Sequence, residues 1–125
     1  MITEDYCSYE VAKLLKEKGF DTFKPYGWDE KLFDKEHPRN FSLGFDSKEH
    51  WISCPTHQMA MKWLREEYGI SIEISALNRY RWVYTIYRLF EERVVEVCND
   101  GTYVSYEDAI DDALKYCLEN LNKLI

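Results

Sequence analysis

A chain of 125 residues, 46% hydrophobic and 31% charged with five Gly and three Pro, suits one globular domain, and 16% aromatics exclude a disordered one. Its formal charge is −7, and residues 99–125 carry six acids against two bases, so no concentrated positive surface is offered to a phosphate backbone. No apolar run reaches the roughly 18 residues that cross a bilayer, the start Met-Ile-Thr-Glu-Asp lacks the basic-then-apolar pattern of a secretory signal, and Cys7, Cys54, Cys98 and Cys117 show no CxxC spacing; the expectation is free thiols in a reducing cytoplasm.

Ser8 is a good N-cap for a first helix through YEVAKLLKEKG, with Val11, Leu14 and Leu15 as its apolar stripe and Gly19 as the C′ residue. Residues 20–50 show no lasting period. Structureless loops of that length are unusual in a compact domain, so Phe23, Tyr26, Trp28, Phe33, Phe41 and Phe45 are expected to pin this one down, with a short strand around 41–45. Pro55 suits the first position of a second helix, whose apolar face is drawn by Ala60, Trp63, Leu64 and Tyr68 and which Gly69 ends.

The period then switches from 3.6 to 2. ISIEIS, with Ile70, Ile72 and Ile74 alternating, predicts a half-buried strand, and YRWVYTIYRLF (80–90) and RVVEVC (93–98) predict two more, joined by a turn at Glu91-Glu92. NDG at 99–101 reads as a further turn, after which TYV extends the sheet briefly. Ser105 caps a last helix carrying Ile110, Ala113, Leu114, Cys117, Leu118 and Leu121 on its buried side. The expected fold is therefore α+β over 1–125: α-loop-α-β-β-β-α, a three-stranded antiparallel meander with helices packed on one face. Its last five elements share their order with the double-stranded-RNA-binding fold, and an order of elements carries no function by itself.

Alternation assigns the sheet faces. Tyr80, Trp82, Tyr84 and Ile86 should face the helices with Ile70, Ile72, Ile74, Val95 and Val97; Ser71, Glu73, Ser75, Arg81, Val83, Thr85, Tyr87, Val94, Glu96 and Cys98 should form the open face.

Three places resemble chemistry. HWISCPTHQMAMKWL brings His50, Cys54 and His57 within eight residues, a candidate metal set of three ligands where structural zinc takes four, or a candidate reactive thiol. The plainer reading is a helix entry, with Cys54 or Thr56 as the cap and His57 exposed in the first turn. NRYRWVYTIYR interleaves Arg79, Arg81 and Arg88 with aromatics, as a stacking platform for single-stranded bases would. The predicted open face carries one base, two acids and a single aromatic, which suits nucleic acid poorly. Glu107, Asp108, Asp111 and Asp112 lie at helical spacing, where a cation could sit, but they also match the dipole at the start of an amphipathic helix. None of the phosphate-loop, nucleophile-elbow or zinc-protease motifs is present.

The blocks MITEDYCSYEVAKLLKEKGFD, SCPTHQMAMKWLREEYGISIEI and SYEDAIDDALKYCLENL resemble a family of short uncharacterised proteins encoded by prophages and other mobile elements of gut bacteria. That resemblance implies a bacterial cytoplasm and an accessory role and supplies no catalytic residues. The expectation is a non-enzymatic module, without cofactor or metal, that binds a protein partner or a second copy of itself through the open face or an edge strand, with Arg81, Tyr87 and Val94 as contact residues. The alternative is a nucleic-acid module using Arg79, Arg81 and Arg88.

Overall fold

The computed structural model describes residues 5–31 and 37–125. They form an α+β protein whose chain divides into two compact units, Met1–Thr56 and His57–Ile125. No helix among the described residues is long and apolar enough to cross a membrane.

In the first unit, helix α1 (Tyr9–Glu17) starts where Ser8 accepts a hydrogen bond from the Val11 N–H at 3.3 Å and buries Val11, Ala12 and Leu15. Gly19 takes φ +106° just beyond it, the left-handed turn that glycine makes at little cost. The stretch read as a loop holds the centre of a small sheet. Strand β1 (Tyr26–Asp29) lies between β2 (Arg39–Asn40) and β3 (Trp51–Ser53), antiparallel to both. The strand expected at 41–45 is replaced by a turn, in which the Phe45 and Asp46 N–H groups both return to the Ser42 carbonyl. Of the aromatics expected to pin the segment, Trp28 is buried and Tyr26 packs on the cluster of Ala12, Trp28, Ile52 and Cys54. Phe41 lies edge-on to both Phe23 and Trp51. Phe45 is 71% exposed, and Phe33 lies outside the described residues.

Arg39 closes the 41–46 turn with a two-pronged pair to Asp46, at 2.7 and 2.5 Å, while the Ser42 N–H donates to the same carboxylate at 2.7 Å. The Arg39 bond, helped by Ser42 and Asp29 against the opposing effect of burial, holds the Asp46 carboxyl down to about 2 from its ordinary 3.8. A depressed acid stabilises the fold above its unfolded value and loses that contribution as pH falls through the folded one. Amide resonances of residues 41–46 should therefore hold their positions above about pH 4 and lose them on acidification toward about pH 2. Asp46→Asn should show the acid spectrum of this turn at neutral pH, and a turn unchanged in that variant would rule the clamp out.

In the second unit, helix α2 (His57–Tyr68) begins two residues after Pro55 instead of at it. The chain stays extended as far as Thr56 because the Cys54 N–H donates to Tyr26 O at 2.8 Å, the Cys7 N–H to Pro55 O at 3.0 Å, and Tyr6 bridges Thr56. Ala60 and Leu64 are buried, and Gly69 at φ +63° ends the helix as expected. Strands β4 (Ile70–Asn78), β5 (Arg81–Leu89) and β6 (Val94–Tyr103) make the antiparallel meander in the order β4-β5-β6. Ser105 caps helix α3 (Tyr106–Glu119), its side chain accepting from the Asp108 N–H at 3.1 Å, and a short α4 (Leu121–Leu124) follows. All six residues of the expected stripe are buried. Burial, with Cys98 nearby, pushes the Cys117 thiol up to about 12, which leaves it protonated and inert at neutral pH.

The last strand departs from the reading most. NDG is not a turn between elements: β6 runs through it, with Gly101 at φ +39°. Its register against β5 slips twice, between Ile86↔Cys98 and Tyr87↔Glu96 and again between Tyr84↔Asp100 and Trp82↔Tyr103. At each slip β6 holds one residue more than its partner, which is a β-bulge. The first bulge reverses alternation around Val97. Cys98 therefore comes opposite buried Ile86, on the helix side, and Val97, expected in the core, is 40% exposed. Tyr80 lies before β5 and is exposed instead of facing the helices.

Candidate functional site

The helix-entry stretch was expected to show His57 at the surface. Instead it is 5% exposed at the first residue of α2, and its Nε2 lies 3.2 Å from Asp111 Oδ1 on α3. With a carboxylate as acceptor, Nε2 is the donor, while Nδ1 is buried with no hydrogen-bond partner among the described residues. His50 ends the 3₁₀ turn Lys48–His50 and is half-buried. Cys54 is buried in the first unit, where its thiol donates to Cys7 O at 3.3 Å. Among the described residues no group of three or more His, Cys, Asp or Glu side chains could hold a metal ion. The residues of this motif are spent on local structure: a turn end, a strand-flanking thiol and an interhelix hydrogen bond.

The acidic run is divided in the same way. Asp111 serves His57, and Asp112 accepts a hydrogen bond from the Tyr103 hydroxyl. Those bonds tie α3 to the start of α2 and to the end of β6, while Glu107 and Asp108 stay exposed in the first turn.

The arginines proposed as a platform do not share one surface. Arg81 opens β5 and Arg88 sits near its end, about 23 Å away at strand rise. Parity places Arg81 with the open face and Arg88, opposite Ile70, with the other. Arg79 lies before the strand, its guanidinium 5.8 Å from the Tyr80 ring. Of the three residues expected to make contacts, Arg81 is exposed at one end of the sheet, Tyr87 is half-buried on the open face opposite Ser71 and Glu96, and Val94 is 60% exposed at the other end.

Val94 has company that the sequence reading missed. It pairs with Leu89 across the β5–β6 hairpin, and Phe90 follows, so three large apolar side chains stand exposed at one hairpin end. The Arg88 and Arg93 guanidinium carbons lie 4.9 and 5.1 Å from the Phe90 ring centroid. The Phe90 and Arg93 backbones exchange hydrogen bonds at 2.8 and 3.4 Å, closing the turn. Both guanidinium groups lie within cation–π reach of the one ring. The signal was present in RLFEER, an aromatic flanked by arginines at i−2 and i+3. Its meaning depended on the hairpin folding both onto one ring.

Comparisons with protein-family models, with curated proteins and with solved structures give no match for this chain.

Proposed function

We propose that the protein is a non-enzymatic accessory module that acts by binding another protein, and that it does so with the free end of the β5–β6 hairpin. The observation that carries this reading is the exposed trio Leu89, Phe90 and Val94 with Phe90 set between Arg88 and Arg93. Aromatic and arginine side chains dominate the energetically decisive part of protein contacts, and clustered exposed apolar groups mark surfaces that a partner covers. The setting, a bacterial cytoplasm and a mobile-element origin, rests on the resemblance of sequence blocks alone. Nucleic acid is the poorer fit, because Arg79 and Arg81 lie at the opposite end of the strand from Arg88.

The test uses a photo-crosslinking amino acid in place of Val94, with the same group in place of Glu107 on α3 as control. The expected result is a discrete adduct from position 94 only, and its loss when Phe90→Ser is added. An adduct of two chains would make the partner a second copy. Equal labelling from both positions, or an adduct indifferent to Phe90→Ser, would overturn the reading.

A further inference from the structure

The first unit holds a second feature, independent of the hairpin. Between the end of α1 and β3 lies an open cleft of about 460 Å³, walled by Lys16, Phe20, Asp21, Phe23, Lys48 and Trp51. That volume lies within the range of small-molecule sites, which are mostly apolar with a few convergent polar groups. Trp51 is buried and fixed: its indole N–H donates to Lys24 O at 2.8 Å, and its ring meets Phe41 edge-on at 5.1 Å. Phe23, braced edge-on by the same Phe41 at 5.4 Å, leaves part of its ring open to solvent.

The polar groups are mainly of one sign. The Lys16 ammonium donates to Trp51 O at 3.0 Å, which engages one of its three hydrogens and anchors the charge at the cleft wall. The Lys48 ammonium stands 4.9 Å from the Phe23 ring centroid. Against these two cations the described residues of the wall set a single carboxylate, Asp21. Two ammonium groups beside open aromatic surface suit a ligand that carries both a flat ring and a negative charge, whereas a cation would face repulsion from both lysines.

We infer that this cleft binds a small aromatic anion, its ring against the open part of Phe23 and its carboxylate or phosphate met by Lys16 and Lys48. The size of the cleft, about 460 Å³, accommodates one ring system with its acidic group.

The test is a titration of the ¹⁵N-labelled full chain at low salt, following amide shifts, with three probes: indole-3-acetate, its neutral analogue tryptophol, and adenosine 5′-monophosphate. The expected result is saturable shifts confined to residues 16–24 and 48–53, with a dissociation constant below about 1 mM for at least one of the two anions. Whichever anion binds more tightly distinguishes a carboxylate ligand from a phosphate one. Tryptophol should bind at least about tenfold more weakly than indole-3-acetate, since it lacks the charge-assisted bonds. Lys48→Met should weaken the anions about tenfold and leave tryptophol unchanged, while Phe23→Ala should weaken all three; both sites are exposed, and the spectrum itself reports that each variant is folded. The proposal is overturned if neither anion gives saturable shifts, if the shifts lie elsewhere, if acid and alcohol bind alike, or if Lys48→Met changes nothing.

Discussion

Gly27→Ala should disrupt the small sheet of the first unit, with a loss above about 3 kcal/mol. Gly27 lies in the central strand β1, paired with Arg39 on one side and Ser53 on the other. A Cβ there would stand 2.1 Å from the Ile52 carbonyl oxygen and 3.1 Å from the Cys54 nitrogen. Both are backbone atoms of the neighbouring chain segment, so no rotamer change relieves the overlap, and β1 must move away from β3. Such a movement breaks the 2.8 Å bond from the Cys54 N–H to Tyr26 O and opens the cluster of Ala12, Trp28, Ile52 and Cys54. Glycine is here for close approach of two backbones and not for an unusual dihedral. Urea unfolding of the variant, with amide spectra of residues 26–29 and 51–54, measures the effect. Stability within about 1 kcal/mol of the parent chain would show that this packing is wrong.

Gly27 also shows why the first unit was hard to read. Its strands are four, two and three residues long and pair across 12 to 26 positions of sequence, Gly27 with Arg39 at one extreme and with Ser53 at the other. Segments that short hold too few alternations to mark a strand, and nothing in PYGWD announces the distant strand that glycine must touch. Where structure is local, the residues announced it. Ser8 and Ser105 cap as expected, Gly19 and Gly69 stop their helices, and the α3 stripe is buried in full. His57 failed as a surface residue because its burial depends on Asp111, 54 positions away. NDG failed as a turn because the same residues that reverse a chain also make a bulge within a strand. At the hairpin, Val94 was singled out correctly as exposed, while the ring beside it gained its arrangement only when β5 and β6 paired.

Tyr84→Ala should cost about 3–5 kcal/mol and Tyr87→Ala less than about 1 kcal/mol, although the two tyrosines stand three residues apart on one strand. Tyr84 is buried opposite Ile74, stacked on Tyr103 at 5.8 Å and tilted against Tyr116 at 6.5 Å, so truncation empties a site that β4, β6 and α3 all line. Tyr87 lies opposite Ser71 and Glu96, where solvent fills the space its ring vacates. Urea midpoints with unchanged slopes would measure both losses. The ranking tests the bulge as well as the face. Between Tyr84 and Tyr87 the partner strand gains its extra residue, and this places Glu96 on the open side and Cys98 on the helix side. A β6 carried on from Ile86↔Cys98 without that bulge would set Val97, not Glu96, opposite Tyr87 and Val95, not Val94, opposite Leu89. The open face would then lose its charged neighbour and gain an apolar one, and Tyr87→Ala would cost as much as a half-buried aromatic pair. Equal losses at the two tyrosines would therefore count against this register, and with it against the pairing of Val94 with Leu89 on which the hairpin surface depends.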